Sequence, residues 1–254
     1  MHHPYRIMVA GSDLTGIRAS LESKLASSNT QRKTRVSQRV AVAFTGQGSQ
    51  YLGMERELLK ITTFCGDLNR FDALCQTLGF PLIVLLIQHT ETDIASRQLL
   101  VVQVGMMCIQ MVMAKLWQSW GVVPSTVIGH SLGEYAALNI AGVLSEADTI
   151  VLVGNRAQLI QEHISANTHA MLTVNTSVEE INIICENLEY EIACINSPFE
   201  MVLSGMTGEV ESALLSISAA GHVGLRKTRL IVPFTFHSSQ MQPILDESKP
   251  PRGL

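Results

Sequence analysis

The 254-residue chain is long enough for one large domain or two small ones. With 46% hydrophobic residues and a mean hydropathy of +0.23, the chain is expected to bury a large core, which excludes an intrinsically disordered protein. Its net charge of −4 gives no electrostatic reason to bind nucleic acid or an anionic membrane.

The cysteine pattern and the apolar segments favour a cytoplasmic location. The five cysteines include no Cys-x-x-Cys pair, as expected of reduced thiols. The N-terminus lacks the basic start and apolar core of a signal peptide. Residues 99–113 are the most membrane-like stretch, but they fall short of the ~18–20 apolar residues that a span needs. They predict a helix buried in a soluble core.

The first predicted elements in chain order form a small appendage. Residues 6–10 predict a strand, and the apolar spacing of residues 14–25 predicts a helix. Residues 26–38 are polar and contain the only basic run of the chain, which is typical of a solvated linker. Residues 1–38 are therefore interpreted as a linker-like segment outside the main core.

The main body is predicted to start with a buried strand at residues 39–44. Strands and helices then alternate, which favours a parallel α/β sheet. The predicted elements are a short helix at 51–60, a long apolar helix at 96–117, a strand at 121–128, and helices at 132–141 and 146–164. Ser145 followed by Asp148 resembles a capping box at the start of the last helix.

The pattern changes after residue 167, where a β-α-β-β-α-β order predicts an inserted ferredoxin-like subdomain. Its strands are predicted at 170–174, 190–196, 201–205 and 227–232, and its helices at 178–187 and 210–220. The predicted boundaries are thus 167–232 for this small subdomain, with 39–166 and 233–254 forming the large one.

The sequence Gly-His-Ser-Leu-Gly at 129–133 is a G-x-S-x-G pattern in the right setting. A β-branched apolar run precedes it and good helix formers follow it, which predicts a strand, a sharp turn and a helix. Such a turn exposes the Ser131 hydroxyl above a sheet edge. The N–H groups that open the helix can face a developing oxyanion. The pattern therefore predicts an enzyme that handles acyl groups.

A serine nucleophile needs a base, and His237 is the best candidate among eight histidines. It follows the small subdomain at a domain junction and is flanked by aromatic residues, as expected of a residue in a cleft. A hydrogen-bonded structural histidine is the alternative interpretation. His130 adjoins Ser131 in sequence but is expected to point elsewhere from an elbow.

Two further polar residues occupy positions that suggest binding. Arg156 lies on an apolar helical stripe, so its guanidinium must meet a carboxylate, either of the protein in a structural salt bridge or of a ligand. Gln47 lies in a glycine-flanked loop at the carboxyl end of the first main strand, at the sheet edge that also holds Ser131. Its amide could donate to an oxyanion or simply cap a turn.

Together these segments resemble the malonyl-CoA:acyl-carrier-protein acyltransferase domain, with the greatest likeness to that of fungal non-reducing iterative polyketide synthases. The resemblance covers about residues 39–247, and residues 1–38 resemble the linker that joins a ketosynthase to such a domain. The segments that carry it, in order, are 45–50, 129–135, 155–159, 196–198 and 236–241, with the phrases 168–172 and 232–240 closest to the fungal group.

The resemblance implies an α/β-hydrolase-like large subdomain with an inserted ferredoxin-like one, and an active site between them. By similarity Ser131 is the nucleophile, His237 its general base, and Arg156 the residue that holds the malonyl carboxylate. The Leu132 N–H and Gln47 would form the oxyanion hole. A malonyl group would pass from coenzyme A through Ser131 to the phosphopantetheine thiol of an acyl carrier protein. Neither a metal nor a permanently bound cofactor is implied.

The resemblance also indicates which acyl unit, the extender unit, the domain would take. Members that take malonyl units typically carry Phe just before the base histidine, and Phe236 fits this pattern. A ring there would crowd an α-methyl group, although one methyl is worth only about 1–3 kcal/mol of discrimination. The implied partners are malonyl-CoA, an acyl carrier protein and other polyketide synthase domains.

Two alternatives stay open at this point. A serine hydrolase on the same elbow would need an acid partner for His237, and Glu162 and Glu200 are candidates between nucleophile and base. The family also continues with further helix and strand after the segment that ends near Leu245. We therefore expect a C-terminally truncated, incomplete large subdomain with weak activity, or an inactive synthase fragment.

Overall fold

The computed structural model describes residues 5–27, 31–32, 39–51, 53–81, 99–220, 226–230 and 232–245. It divides into two compact units, Met1–Val40 and Ala41–Leu254. In the first unit, β1 (Tyr5–Arg6) pairs antiparallel with β2 (Gln31–Arg32), and α1 (Leu14–Ala26) starts at an Asp13 cap. No residue of α1 is buried, so this helix has no core of its own.

The predicted strand at residues 6–10 is wrong in extent, because the strand ends at Arg6 and its one partner strand has only two residues. The predicted helix at 14–25 is confirmed. Most of the polar segment with the basic run lies outside the described residues, as does the end of the chain from residue 246.

The core of the second unit is built on α3 (Leu99–Ser119), which is buried almost all round. By length and composition α3 could cross a membrane, but 78% of its most apolar window is buried inside the protein, as expected of a core helix. Helices α2 (Thr62–Thr77) and α5 (Glu146–His163) pack against it. The predicted capping box starts α5, since Ser145 and Asp148 bond each other reciprocally.

Two parallel strands lie beside these helices, β3 (Ala41–Phe44) and β4 (Thr126–Gly129), with Phe44 opposite Gly129. The elbow helix α4 (Gly133–Ile140) follows β4, and a 3-10 helix spans Arg56–Lys60. The predicted strand at 121–128 starts late. Val122 still bonds back to Trp117 at the end of α3, and Pro124 has no N–H for a strand ladder.

The ferredoxin-like sheet contains four antiparallel strands in the order β6-β7-β5-β8. The strands are β5 (His169–Val174), β6 (Glu191–Ser197), β7 (Glu200–Met206) and β8 (Lys227–Arg229), with helices α6 (Val178–Ile184) and α7 (Thr207–Ala219). Placing β5 between β7 and β8 gives the predicted split arrangement.

We define the elbow region as residues 41–166 and 232–245. The chain leaves this region and returns to it at neighbouring positions. There the Asn167 N–H donates to the Pro233 carbonyl at 2.8 Å. After it come a 3-10 helix (Ser239–Met241) and α8 (Gln242–Leu245). The sheet and the elbow region have separate hydrophobic clusters. The domain boundaries given above stay predictions.

Candidate active site

The serine elbow forms where β4 meets α4. Ser131 has a φ of 53°, in the left-handed region that non-glycine residues rarely occupy. The flanking glycines serve close packing: a Cβ on Gly129 would lie 2.4 Å from the Glu134 backbone nitrogen, and one on Gly133 would lie 2.4 Å from the Phe44 carbonyl oxygen. The predicted strand-turn-helix around Ser131 is therefore present in the structure.

The structure brings Ser131 together with His237. The Ser131 Oγ lies 2.7 Å from His237 Nε2, although the two residues are 106 positions apart in the sequence. His237 also has a left-handed φ, of 62°. Two of the four non-glycine residues with positive φ in the described part of the chain thus form this one pair. Strained backbone of this kind clusters at active sites.

Hydrogen bonds on both sides of His237 hold its turn in place. The Gln240 side-chain oxygen accepts from the Thr235 N–H at 2.7 Å and from the Thr235 hydroxyl at 2.8 Å. The Gln240 amide nitrogen donates to the Ser165 carbonyl and to Thr168. From β6, the Glu191 carboxylate accepts from the Ser239 N–H and hydroxyl. The ferredoxin-like sheet and the elbow region thus both fix the turn.

The surroundings of His237 keep its imidazole neutral. The ring opens onto a cleft, but the protein around it excludes enough water to lower its pKa, and the nearby charges of Arg156 and His130 lower it further. Glu134 acts in the opposite direction. A neutral imidazole within hydrogen-bonding distance of a hydroxyl can accept its proton.

Arg156 lies in the same cleft and is half-buried. Its Nη1 donates to the Gln103 side-chain oxygen at 2.8 Å, and its guanidinium lies over the Phe236 ring, 5.4 Å from the ring centre. Among the described residues no carboxylate forms an ion pair with Arg156. Burial lowers its pKa, because desolvation disfavours the cation. The structural salt bridge considered above is therefore absent from the described part of the chain.

Gln103 is a polar residue of the site that sequence reasoning missed. It is fully buried in α3, and its Nε2 donates to the Gln47 side-chain oxygen at 2.6 Å. In the sequence it only interrupts an apolar helix. The available signal was an amide within the apolar run of residues 99–113, since a buried amide must find partners.

The two donors predicted for the oxyanion hole differ in their position relative to the cleft. The Leu132 N–H, directly after Ser131 at the start of α4, has no acceptor among the described residues. Gln47 is half-buried in the loop after β3, and its side-chain oxygen is taken by Gln103. Its Nε2 has no acceptor among the described residues. A backbone N–H directly after a serine is a group that stabilises an oxyanion. Gln47, by contrast, does not line the cleft that contains Ser131, so its role in an oxyanion hole stays a prediction.

A cleft of about 370 Å³ contains Ser131, His237, Arg156 and Leu132 in its lining. His130 lines it as well, and its Nδ1 lies close to Gly46 in the loop after β3. The expectation that its side chain points away from the site stays a prediction. Cys194 of β6 contributes to its wall. Phe236 is buried behind Arg156 and is not part of the lining, so its contact with the site is through the guanidinium.

A family model described as an acyl transferase domain matches residues 42–249. The chain therefore belongs to the acyltransferase domain family, and the predicted α/β fold with its ferredoxin-like subdomain is confirmed. It is 58% identical over 248 residues to the non-reducing polyketide synthase pks27 of Aspergillus flavus. That alignment covers 98% of this chain and 12% of the synthase, so the chain spans about an eighth of that relative's length.

Solved structures of acyltransferases are also similar to this chain. The acyltransferase domain from the second module of the salinomycin polyketide synthase has a TM-score of 0.78 and 31% identity, over 96% of this chain and 57% of that one. A malonyl-transacylase in complex with a type II polyketide synthase acyl-carrier protein has a TM-score of 0.71 and 31% identity, over 83% of this chain and 68% of that one. The chain is thus an acyltransferase domain of the polyketide synthase type.

Proposed function

We propose that the chain transfers a malonyl group from malonyl-CoA to the phosphopantetheine thiol of an acyl carrier protein, through an ester on Ser131. The observation that carries this proposal is Arg156. It is a desolvated guanidinium without a carboxylate partner among the described residues, and it shares a cleft with the Ser131–His237 pair. A substrate with a free carboxylate supplies the missing partner. The malonyl-transacylase and carrier-protein complex among the related structures supports the choice of substrate and acceptor.

In the first half-reaction the Ser131 Oγ attacks the thioester carbonyl carbon while His237 Nε2 takes the hydroxyl proton. The negative charge that develops on the carbonyl oxygen is stabilised by the Leu132 N–H and the Gln47 amide. The carbon–sulfur bond then breaks, and the imidazolium returns its proton to the departing coenzyme A thiolate. A malonyl ester on Ser131 remains, with its carboxylate on Arg156.

In the second half-reaction the phosphopantetheine thiol of the carrier gives its proton to His237 and attacks the ester carbonyl. The same donors stabilise the second oxyanion, and Ser131 leaves with the proton held by His237. Both half-reactions therefore use the same base and the same donors, and Ser131 is the nucleophile in the first and the leaving group in the second. No metal takes part in this scheme.

The pKa of His237 gives the scheme a pH dependence. Only the neutral imidazole can accept the serine proton, so kcat/KM falls as the pH drops through the pKa of His237 in the free enzyme. Because burial lowers that pKa, the acid limb is expected below the ordinary histidine value of about 6.5. The profile of malonyl transfer against pH measures it.

The decisive experiment is to incubate the chain with labelled malonyl-CoA and to locate the adduct by mass spectrometry. A stable malonyl ester on Ser131, absent in Ser131→Ala and transferred to a carrier protein, supports the proposal. Rapid hydrolysis without transfer would favour the hydrolase. No adduct in a folded sample would contradict transfer altogether.

A second variant tests the carboxylate contact. Arg156→Ala should raise acetyl-CoA use relative to malonyl-CoA, because the lost charge-assisted bonds served only the carboxylated substrate. An unchanged ratio would contradict the role proposed for Arg156. The hydrolase alternative has less support, because no ion pair among the described residues joins His237 to a carboxylate, including Glu162 and Glu200.

A further inference from the structure

Gln103 joins two groups of the proposed site that do not contact each other. Its side-chain oxygen accepts from Arg156 Nη1 at 2.8 Å, and its amide nitrogen donates to the Gln47 oxygen at 2.6 Å. The residue is 0% exposed, in the second turn of the apolar helix α3. Its hydrogen bonds are made inside the protein, where an unpaired amide would be costly.

The direction of these bonds is fixed by chemistry. A guanidinium can only donate, so the atom of Gln103 that faces Arg156 must be its oxygen. Its NH₂ group must then face Gln47, and Gln47 must present its own oxygen in return. The NH₂ group of Gln47 is left for another acceptor. Arg156 therefore determines the orientation of the Gln47 amide through Gln103.

The guanidinium is constrained by the same contact. Gln103 occupies Nη1, and the guanidinium carbon lies over the Phe236 ring at 5.4 Å from the ring centre. Arginine has five N–H donors in a rigid fork, so an edge that includes Nη2 stays available for a carboxylate. One buried amide thus sets which edge of Arg156 meets a substrate.

We propose that Gln103 is a positioning residue that aligns the Arg156 guanidinium with the substrate carboxylate and the Gln47 NH₂ group with the oxyanion. This inference rests on the proposed malonyl transfer. Gln103 itself does not line the cleft, so it acts through its two partners. It links recognition of the carboxylate to stabilisation of the transition state.

The sharpest test is Gln103→Glu, which keeps the shape of the side chain. The new carboxylate accepts from Arg156, and its second oxygen requires a donor from Gln47. The Gln47 amide then turns over, with its carbonyl toward the oxyanion. Acetyl transfer should fall about 10²-fold through loss of an oxyanion donor. Malonyl transfer should fall about tenfold further, because Arg156 is neutralised.

The readout is the ratio of kcat/KM for malonyl-CoA to that for acetyl-CoA, which a purely structural role would not change. Gln103→Met removes both hydrogen bonds without adding charge and should also lower the ratio. The matched control is Gln110→Met, two turns along the same helix, where the amide donates to the Thr45 carbonyl and not to Arg156. Its ratio should stay within about twofold of the wild type.

A double-mutant cycle examines the link to Gln47. If Gln103 acts through Gln47, acetyl transfer by the Gln103→Met, Gln47→Met double variant should match that of Gln47→Met alone within about threefold. Multiplicative losses, or an unchanged substrate ratio in a folded Gln103→Glu protein, would overturn the inference. Circular dichroism and thermal unfolding check that each variant is folded.

Failure of this inference is distinguishable from failure of the proposed function. If the wild-type chain forms no adduct on Ser131, the malonyl transfer itself is wrong. If the wild type is acylated and prefers malonyl-CoA while both Gln103 variants keep that preference, only the positioning role is wrong.

Discussion

The elbow region and the ferredoxin-like sheet bury polar groups in different ways. Among the described residues the two buried glutamines, Gln103 and Gln240, belong to the elbow region, and the oxygen and the nitrogen of each side chain are both hydrogen-bonded. In the sheet, the buried Ser204 hydroxyl has no partner among the described residues, and in the elbow region the same holds for Gln110 Oε1. Since buried polar groups are normally paired, the comparison separates the two fully paired amides from these two unpaired atoms.

Replacing His237, the proposed base, should give the largest effect and would test whether the turn held by Gln240 positions a catalytic residue. His237→Ala is expected to lower kcat/KM about 10³-fold or more, since removal of a general base beside a nucleophile leaves only binding and oxyanion stabilisation. Stopped-flow release of coenzyme A measures the acylation step. A loss below about tenfold would show that His237 is structural.

A substitution in the close packing of the elbow should give the next largest effect, on the free energy of unfolding. Gly133→Ala places a methyl group 2.4 Å from the Phe44 carbonyl, in rigid backbone, and should lower the free energy of unfolding by about 3 kcal/mol. Gly66 of α2 is the matched control, since a Cβ there meets nothing within 4 Å. Gly66→Ala should stabilise the protein by about 0.5–1 kcal/mol. Urea unfolding compares the two, and equal effects would contradict the packing argument.

Acid should weaken the elbow region before the sheet. Arg70 and Lys115 hold the Glu146 carboxylate between α2, α3 and α5, and hydrogen bonding from Arg70 lowers its pKa to about 2. The folded value is below the unfolded one, so this stabilisation is present above about pH 4.5 and is lost as the pH falls toward 2. Because Arg70 is half exposed, we expect the ion pair to contribute about 1–2 kcal/mol to the free energy of unfolding.

The measurement is unfolding free energy against pH for the wild type and Glu146→Gln. The two curves should approach each other as the pH falls from about 4.5 toward 2, where the carboxylate of the folded wild type becomes protonated. A difference that stays constant from pH 7 to pH 3 would exclude this ion pair as the cause.

The smallest effect should come from a substitution in the ferredoxin-like sheet. Ser204→Ala removes a buried hydroxyl without a partner among the described residues, so it should stabilise the protein by about 1 kcal/mol and leave transfer unchanged. Thermal unfolding measures the change in stability, and the malonyl transfer rate shows whether activity is unchanged. Destabilisation would show that the hydroxyl has a partner, and the contrast with the amides of the elbow region would fail.

The local parts of this structure were predictable from sequence because their signals are local. The order of strands and helices in the ferredoxin-like sheet follows from their periodicity, and the capping box before α5 spans three residues. The elbow is likewise defined by five adjacent residues. The errors fall at element ends, as at residues 121–125, where a helix C-terminus and a proline delay the strand.

The non-local parts could not be predicted in the same way. Gln103 meets partners 53 and 56 residues away, and Glu191 meets Ser239 at a separation of 48. Sequence periodicity reports on which face of a helix is buried, but not on which distant side chain a buried amide will meet. Arg156 was identified from its apolar stripe, yet only the structure shows that an amide, and not a protein carboxylate, contacts it among the described residues.

The separation of 106 residues between Ser131 and His237 has a consequence for biosynthesis. At synthesis rates of about 5–20 residues per second, His237 leaves the ribosome roughly 5–20 s after Ser131. The whole ferredoxin-like sheet is made in that interval. The hydrogen bond between the two side chains therefore cannot form on the nascent chain until the inserted sheet has been made and the chain has returned to the elbow.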